Sequence, residues 1–80
     1  MISWEEFKTK ICNALKSRIP EVEIFPYKHY VHIKRGGKSI RLMYSYGQLR
    51  ILDESTRKVK VLKPDITLDE VIEEVINIIT

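Results

Sequence analysis

Residues 29–44 read HYVHIKRGGKSIRLMY, and the fold turns on them. Two glycines, Gly36 and Gly37, interrupt two runs that alternate between apolar and polar residues. A two-residue hairpin loop needs positive φ, which glycine adopts without steric cost. With that loop closed, Arg35 faces Lys38, Ile33 faces Ile40, Val31 faces Leu42 and His29 faces Tyr44. Side chains alternate along a strand, so the last three pairs share one face. The opposite face carries Tyr30 beside Met43, His32 beside Arg41 and Lys34 beside Ser39. One face is apolar, and the other is basic with an aromatic.

Working outward, the same period of two recurs on both sides. Upstream, Val22 and Ile24 alternate with Glu23 and Phe25 before Pro26. A turn at Tyr27-Lys28 sets Ile24 against Val31 and Val22 against Ile33. Downstream, a turn at Tyr46-Gly47 sets Leu49 against Tyr44 and Ile51 against Leu42. A loop around Glu54-Ser55-Thr56 sets Val59 against Ile51 and Val61 against Leu49. In this register all four turns keep the apolar residues on one side, and agreement between turn chemistry and pattern argues for the fold.

The ends of the chain change period. Ser3-Trp4-Glu5-Glu6 has the spacing of a capping box, with Ile2 and Phe7 as a hydrophobic staple. Trp4, Phe7, Ile11, Ala14 and Leu15 recur at three- and four-residue steps, and Pro20 stops the run, so the spacing predicts a helix over 4–18. Thr67-Leu68-Asp69-Glu70 repeats the capping box, with Ile66 and Val71 as its staple. Leu68, Val71, Ile72, Val75, Ile76, Ile78 and Ile79 make a broad apolar arc behind it. The expectation is a single two-layer α+β domain over 1–80. It has an N-terminal helix, a five-stranded antiparallel meander and a C-terminal helix, with both helices on one sheet face.

Composition narrows the function classes. The chain has 80 residues, 44% of them hydrophobic and 31% charged, the profile of a globular domain. No apolar run approaches the roughly 20 residues that span a bilayer, and the N-terminus is not the basic-then-apolar pattern of a secretory signal. A single cysteine, Cys12, suits an intracellular, reducing setting. The net charge of +3 hides an asymmetry: residues 27–63 carry +8 and residues 64–80 carry −5.

The basic middle points to the uncovered sheet face. In the register above, one cross-strand row reads Phe25, Tyr30, Met43, Arg50, Lys60, and the next reads Glu23, His32, Arg41, Leu52, Lys58. Cations release counterions from phosphates and flat rings stack on bases, so this face is expected to bind nucleic acid without sequence preference. Lys34, Arg41, Arg50, Lys58 and Lys60 would hold phosphates. Tyr30 and Phe25 would stack, His32 sits among them, and Arg35 and Lys38 would reach along a backbone from the hairpin tip. The alternative is a protein-interaction module: Phe25, Tyr30, Met43 and Leu52 form an apolar island rimmed by cations, suited to an acidic protein partner. A homodimer through an edge strand or the helices is a further arrangement. A polar outer face with lysines on its edge strand also serves solubility alone, but such a face ordinarily mixes signs.

Catalysis has little support. His29 and His32 are three apart and point to opposite faces of a strand, so they cannot share a metal. His29 is expected at the end of the core beside Tyr44. Cys12 has Lys8 and Lys16 one helical turn away, but a half-buried inert thiol is the commoner result. Asp69, Glu70, Glu73 and Glu74 read as a solvated helix face. No cofactor or metal is expected.

Overall fold

A computed structural model describes residues 3–80, so the Ile2–Phe7 staple lies outside the described residues. Helix α1 spans Trp4–Arg18, and strands β1 (Glu23–Pro26), β2 (Tyr30–Arg35), β3 (Lys38–Ser45), β4 (Gln48–Asp53) and β5 (Lys58–Val61) follow, before helix α2 (Leu68–Ile79). The strands form one antiparallel sheet in the order β1-β2-β3-β4-β5, the expected meander.

Both helices begin where the sequence places their caps. The Ser3 hydroxyl accepts from the Glu6 amide, and at Thr67 both halves of the capping box are made. Each satisfies amides that a helix's first turn leaves without partners. The core lies between the helices and one sheet face. Ile11 and Leu15 of α1 and Val71, Val75 and Ile79 of α2 meet Val31, Ile33, Ile40, Leu42 and Ile51, all buried. The acidic face of α2 finds cations: Arg18 at the end of α1 pairs with Glu73, and Lys60 of β5 pairs with Glu74.

Two of the four hairpins keep the expected register. Ile33↔Ile40 and Val31↔Leu42 pair across β2 and β3, and Leu42↔Ile51 and Tyr44↔Leu49 across β3 and β4. At the first loop Gly36 takes φ +58, as a tight hairpin demands.

The other two differ, with opposite consequences. The β1–β2 loop is Lys28-His29 rather than Tyr27-Lys28, closed by the Tyr27 amide donating to the Tyr30 carbonyl. Ile24 therefore pairs with Ile33 and Phe25 with His32, a shift of two residues that preserves the faces. Helix α1 holds the loop there: the Trp4 indole donates to the Lys28 carbonyl, and the Lys8 ammonium, itself buried, donates to the Tyr27 carbonyl. His29 stays opposite Tyr44, whose amide donates to its carbonyl, but its side chain is exposed, and it is the Trp4 ring that stacks on Tyr44, at 5.2 Å between centroids.

The β4–β5 loop is the four residues 54–57 rather than three. The Arg57 amide donates to the Asp53 carbonyl, and Arg57 takes φ +61. Arg50 now pairs with Val61 and Leu52 with Val59, a slip of one residue from expectation. A one-residue slip exchanges the faces of a strand. The reason is Leu62. Its amide donates to the Leu49 carbonyl and its side chain is 5% exposed, so the larger apolar residue enters the core in place of the two valines.

Candidate functional site

The slip redraws the uncovered sheet face. Its long row reads Phe25, His32, Arg41, Leu52, Val59, and its neighbour reads Tyr30, Met43, Arg50, Val61. Lys58 and Lys60 are not on it. They point to the helix side of β5, where Lys60 donates to Glu74 at 2.8 Å. In their place stand Val59 and Val61, 54% and 53% exposed. With Phe25, itself 41% exposed, they put apolar side chains at both edges of the face.

The expected cations separate into three groups. Lys34 and Arg50 remain on the open face, Arg50 donating from its guanidinium to the side-chain Oε1 of Gln48. Arg35 faces the helix side, where it donates to the Glu21 carboxylate at 2.9 Å and to the Ile79 carbonyl at 3.1 Å. It closes the C-terminal end of α2 instead of projecting from the hairpin tip, where Lys38 stays exposed. Arg41 is held from two sides: its guanidinium lies 5.3 Å from the Tyr30 ring centroid, and its Nε is 3.4 Å from Glu54. That Nε is buried without a hydrogen bond of its own.

Glu54 is the residue the sequence reading missed on this face. It lies just past β4, two positions beyond Leu52, and its amide donates to the Ser39 carbonyl. The same alternation that put Leu52 on the open face could have placed it there. Its carboxylate accepts from the Ser39 hydroxyl at 2.6 Å and contacts His32 Nε2 at 2.8 Å. The Ser39 hydrogen bond, with help from Arg41 and His32, holds the carboxyl below its usual range, so it is ionised at neutral pH. His32 Nε2 also lies 2.7 Å from the Ser39 Oγ. Ser39, His32, Glu54 and Arg41 thus form one connected polar cluster on the open face.

Aromatic contacts order the β1 end. Tyr27 stacks on Tyr30 at 4.7 Å, and Phe25 tilts against His32 at 6.1 Å. A separate cleft of about 570 Å³ opens at the other side, between the starts of the two helices and the Tyr46-Gly47 turn. Trp4, Phe7, Tyr44, Leu49 and Leu62 line it, and Tyr46 at its rim is fully exposed with φ +52. Cys12 is half-buried, and burial pushes its thiol up despite Lys8 nearby, which makes it a poor nucleophile. Among the described residues no three His, Cys, Asp or Glu side chains are grouped to hold a metal. No helix among them is long and apolar enough to cross a membrane.

No family model, curated protein or solved structure matches this chain.

Proposed function

We propose that this domain is a protein-binding module and that the open sheet face is its interface. The observation that carries this reading is the register of β5. It removes two lysines from the face and sets Val59 and Val61 at its β5 edge, beside Leu52 and on the same face as Met43, Tyr30 and Phe25. The remaining open-face cations, Lys34, Arg41 and Arg50, lie between and around these apolar groups, and Glu54 already neutralises Arg41 in part. A face whose apolar and aromatic groups outnumber the cations interleaved with them, one of those cations already paired with a carboxylate, suits a protein interface more than a phosphate-binding surface. The matching partner has an apolar patch with carboxylates at its rim.

The face is small. Five strands about 4.8 Å apart and about six residues long give a footprint of about 500 Å², against about 800 Å² per partner in a standard stable interface. The face by itself suits a transient contact.

The test compares wild-type protein with a Leu52→Glu, Val59→Glu variant and a Lys34→Ala, Arg50→Ala variant. Each is offered native-cell proteins, and separately labelled DNA and RNA oligonucleotides, at low and high salt. A discrete protein partner that persists at high salt and is lost with the glutamate pair supports the reading. Oligonucleotide binding that falls linearly in log salt, and is lost with Lys34→Ala, Arg50→Ala, would replace it with the nucleic-acid reading, for which Arg50 beside Met43 and Arg41 over Tyr30 are the surviving supports.

A further inference from the structure

The two edges of the sheet are not equivalent. In an antiparallel ladder, alternate residues turn their N–H and C=O toward the neighbouring strand and the rest turn theirs outward. At β1, the Tyr27–Tyr30 bond makes Tyr27, Phe25 and Glu23 the inward set, so Ile24 and Pro26 face out. Proline has no N–H, which leaves that edge with one donor inside the strand. At β5, the bonds from Leu62 to Leu49 and from Arg57 to Asp53 frame the ladder, with Leu62, Lys60 and Lys58 turned inward. Val59 and Val61 therefore turn both N–H and both C=O outward. All four β5 residues are exposed, and no backbone group of the described residues pairs with that edge.

Side chains along this edge follow a strict pattern. Val59 and Val61 stand on the open face, continuous with Leu52 and Met43. Lys58 and Lys60 stand on the helix side. A strand laid beside β5 meets valines on one face and, on the other, the ammonium groups of Lys58 and Lys60, the second of which also holds Glu74.

We propose that β5 is a strand-addition site for an extended segment of a partner protein in which apolar and acidic residues alternate. The inference rests on the reading of the open face as a protein interface and deepens it by naming the mode and the chemistry. Backbone hydrogen bonds from Val59 and Val61 hold the segment. Its apolar residues extend the open-face patch past its edge, and its carboxylates lie opposite Lys58 and Lys60. The added strand also enlarges the small footprint of the face.

Charge decides against a second copy of this chain. An antiparallel β5–β5 pair that matches Val59 with Val61 of the other copy sets Lys60 directly opposite Lys60. Like charges directly opposite destabilise a strand pair. The lysines that discourage self-association are the groups that select an acidic strand.

The experiment uses the full chain and a labelled synthetic peptide of about eight residues alternating valine and glutamate, with a valine–lysine peptide as control. Binding is read by fluorescence anisotropy and by amide hydrogen exchange. The expected result is that the valine–glutamate peptide binds, slows exchange at the Val59 and Val61 amides, and outcompetes the lysine peptide. Val61→Pro removes only an outward N–H, so it should keep the fold and weaken the peptide by about tenfold, the effect of one lost backbone hydrogen bond. Should the proline variant misfold, the exchange measurement on wild-type protein decides alone.

No binding, equal binding of both peptides, or binding without protection at Val59 and Val61 overturns the inference. Concentration-dependent protection of those two amides without peptide would assign the edge to a second copy and overturn it as well. Loss of the partner on Phe25→Ala, with Val61→Pro unaffected, would keep the open face as the interface while removing the edge from it.

Discussion

The register of β5 decides which face Val59 and Val61 occupy, and a pair of truncations measures it. Leu62 is 5% exposed and lies among core residues, whereas Val61 beside it is 53% exposed. Leu62→Ala removes three carbon groups from a buried site. At about 0.8 kcal/mol each this is about 2.4 kcal/mol, and a partly collapsed cavity at the sheet margin raises the cost to about 3 kcal/mol. Val61→Ala removes two groups that are half in water, a cost of about 0.5–1 kcal/mol. In a domain of this size 1 kcal/mol shifts Tm by about 4–8 °C, so Leu62→Ala should lower Tm by about 12–24 °C and Val61→Ala by only a few degrees. Urea unfolding followed by circular dichroism gives the same comparison at fixed temperature. If Val61→Ala proved the more damaging of the two, the valines would be the buried pair, the lysines would return to the open face, and the protein-interface reading would lose its main support.

Arg35 joins β2 to the C-terminal end of α2 through the Ile79 carbonyl and to Glu21, so Arg35→Ala should cost about 1–2 kcal/mol and speed amide exchange in the last turn of α2 first. Thr67→Ala removes the hydroxyl that caps the Glu70 amide and should destabilise the domain by about 1 kcal/mol in urea titration, with Thr67→Ser restoring most of it. Glu54, Glu21 and Glu70 all have carboxyls held below the ordinary range, Glu54 chiefly by the Ser39 hydroxyl and the other two chiefly by backbone amides. A depressed folded-state pKa contributes stability that is present above the ordinary carboxylate range and is lost as pH falls through the folded-state value. The melting temperature should therefore fall on acidification below that range, and Glu54→Gln, which removes one such contribution, should lower the neutral-pH melting temperature and make the acid fall shallower.

Local signals in the chain set the elements and most of their pairing. Helix α1 runs from Trp4 to Arg18 because a cap, a three-and-four spacing of apolar residues and Pro20 act within a few positions of one another. The glycine hairpin and the Tyr46-Gly47 hairpin were legible for the same reason: loop chemistry and the alternation on both sides agreed, and each loop is two residues long. Lys34 and Arg50 stand on the open face as the alternation implies.

The two outer hairpins depend instead on contacts between residues far apart in the chain. The β1–β2 loop moved because Trp4 and Lys8, distant in sequence, donate to its carbonyls. The β4–β5 register was ambiguous locally, since Val59-Lys60-Val61-Leu62 offers apolar residues of either parity. Leu62 won because a core with Leu49 and the two helices was there to bury it, while β5 lies at the sheet margin, where its lysines remain in water. Glu54, by contrast, meets Ser39, His32 and Arg41 through the β3–β4 register that the alternation already implied. Periodicity specifies which residues share a face, but in a four-residue edge strand it does not specify which face is inside; that depends on the burial available from the rest of the fold.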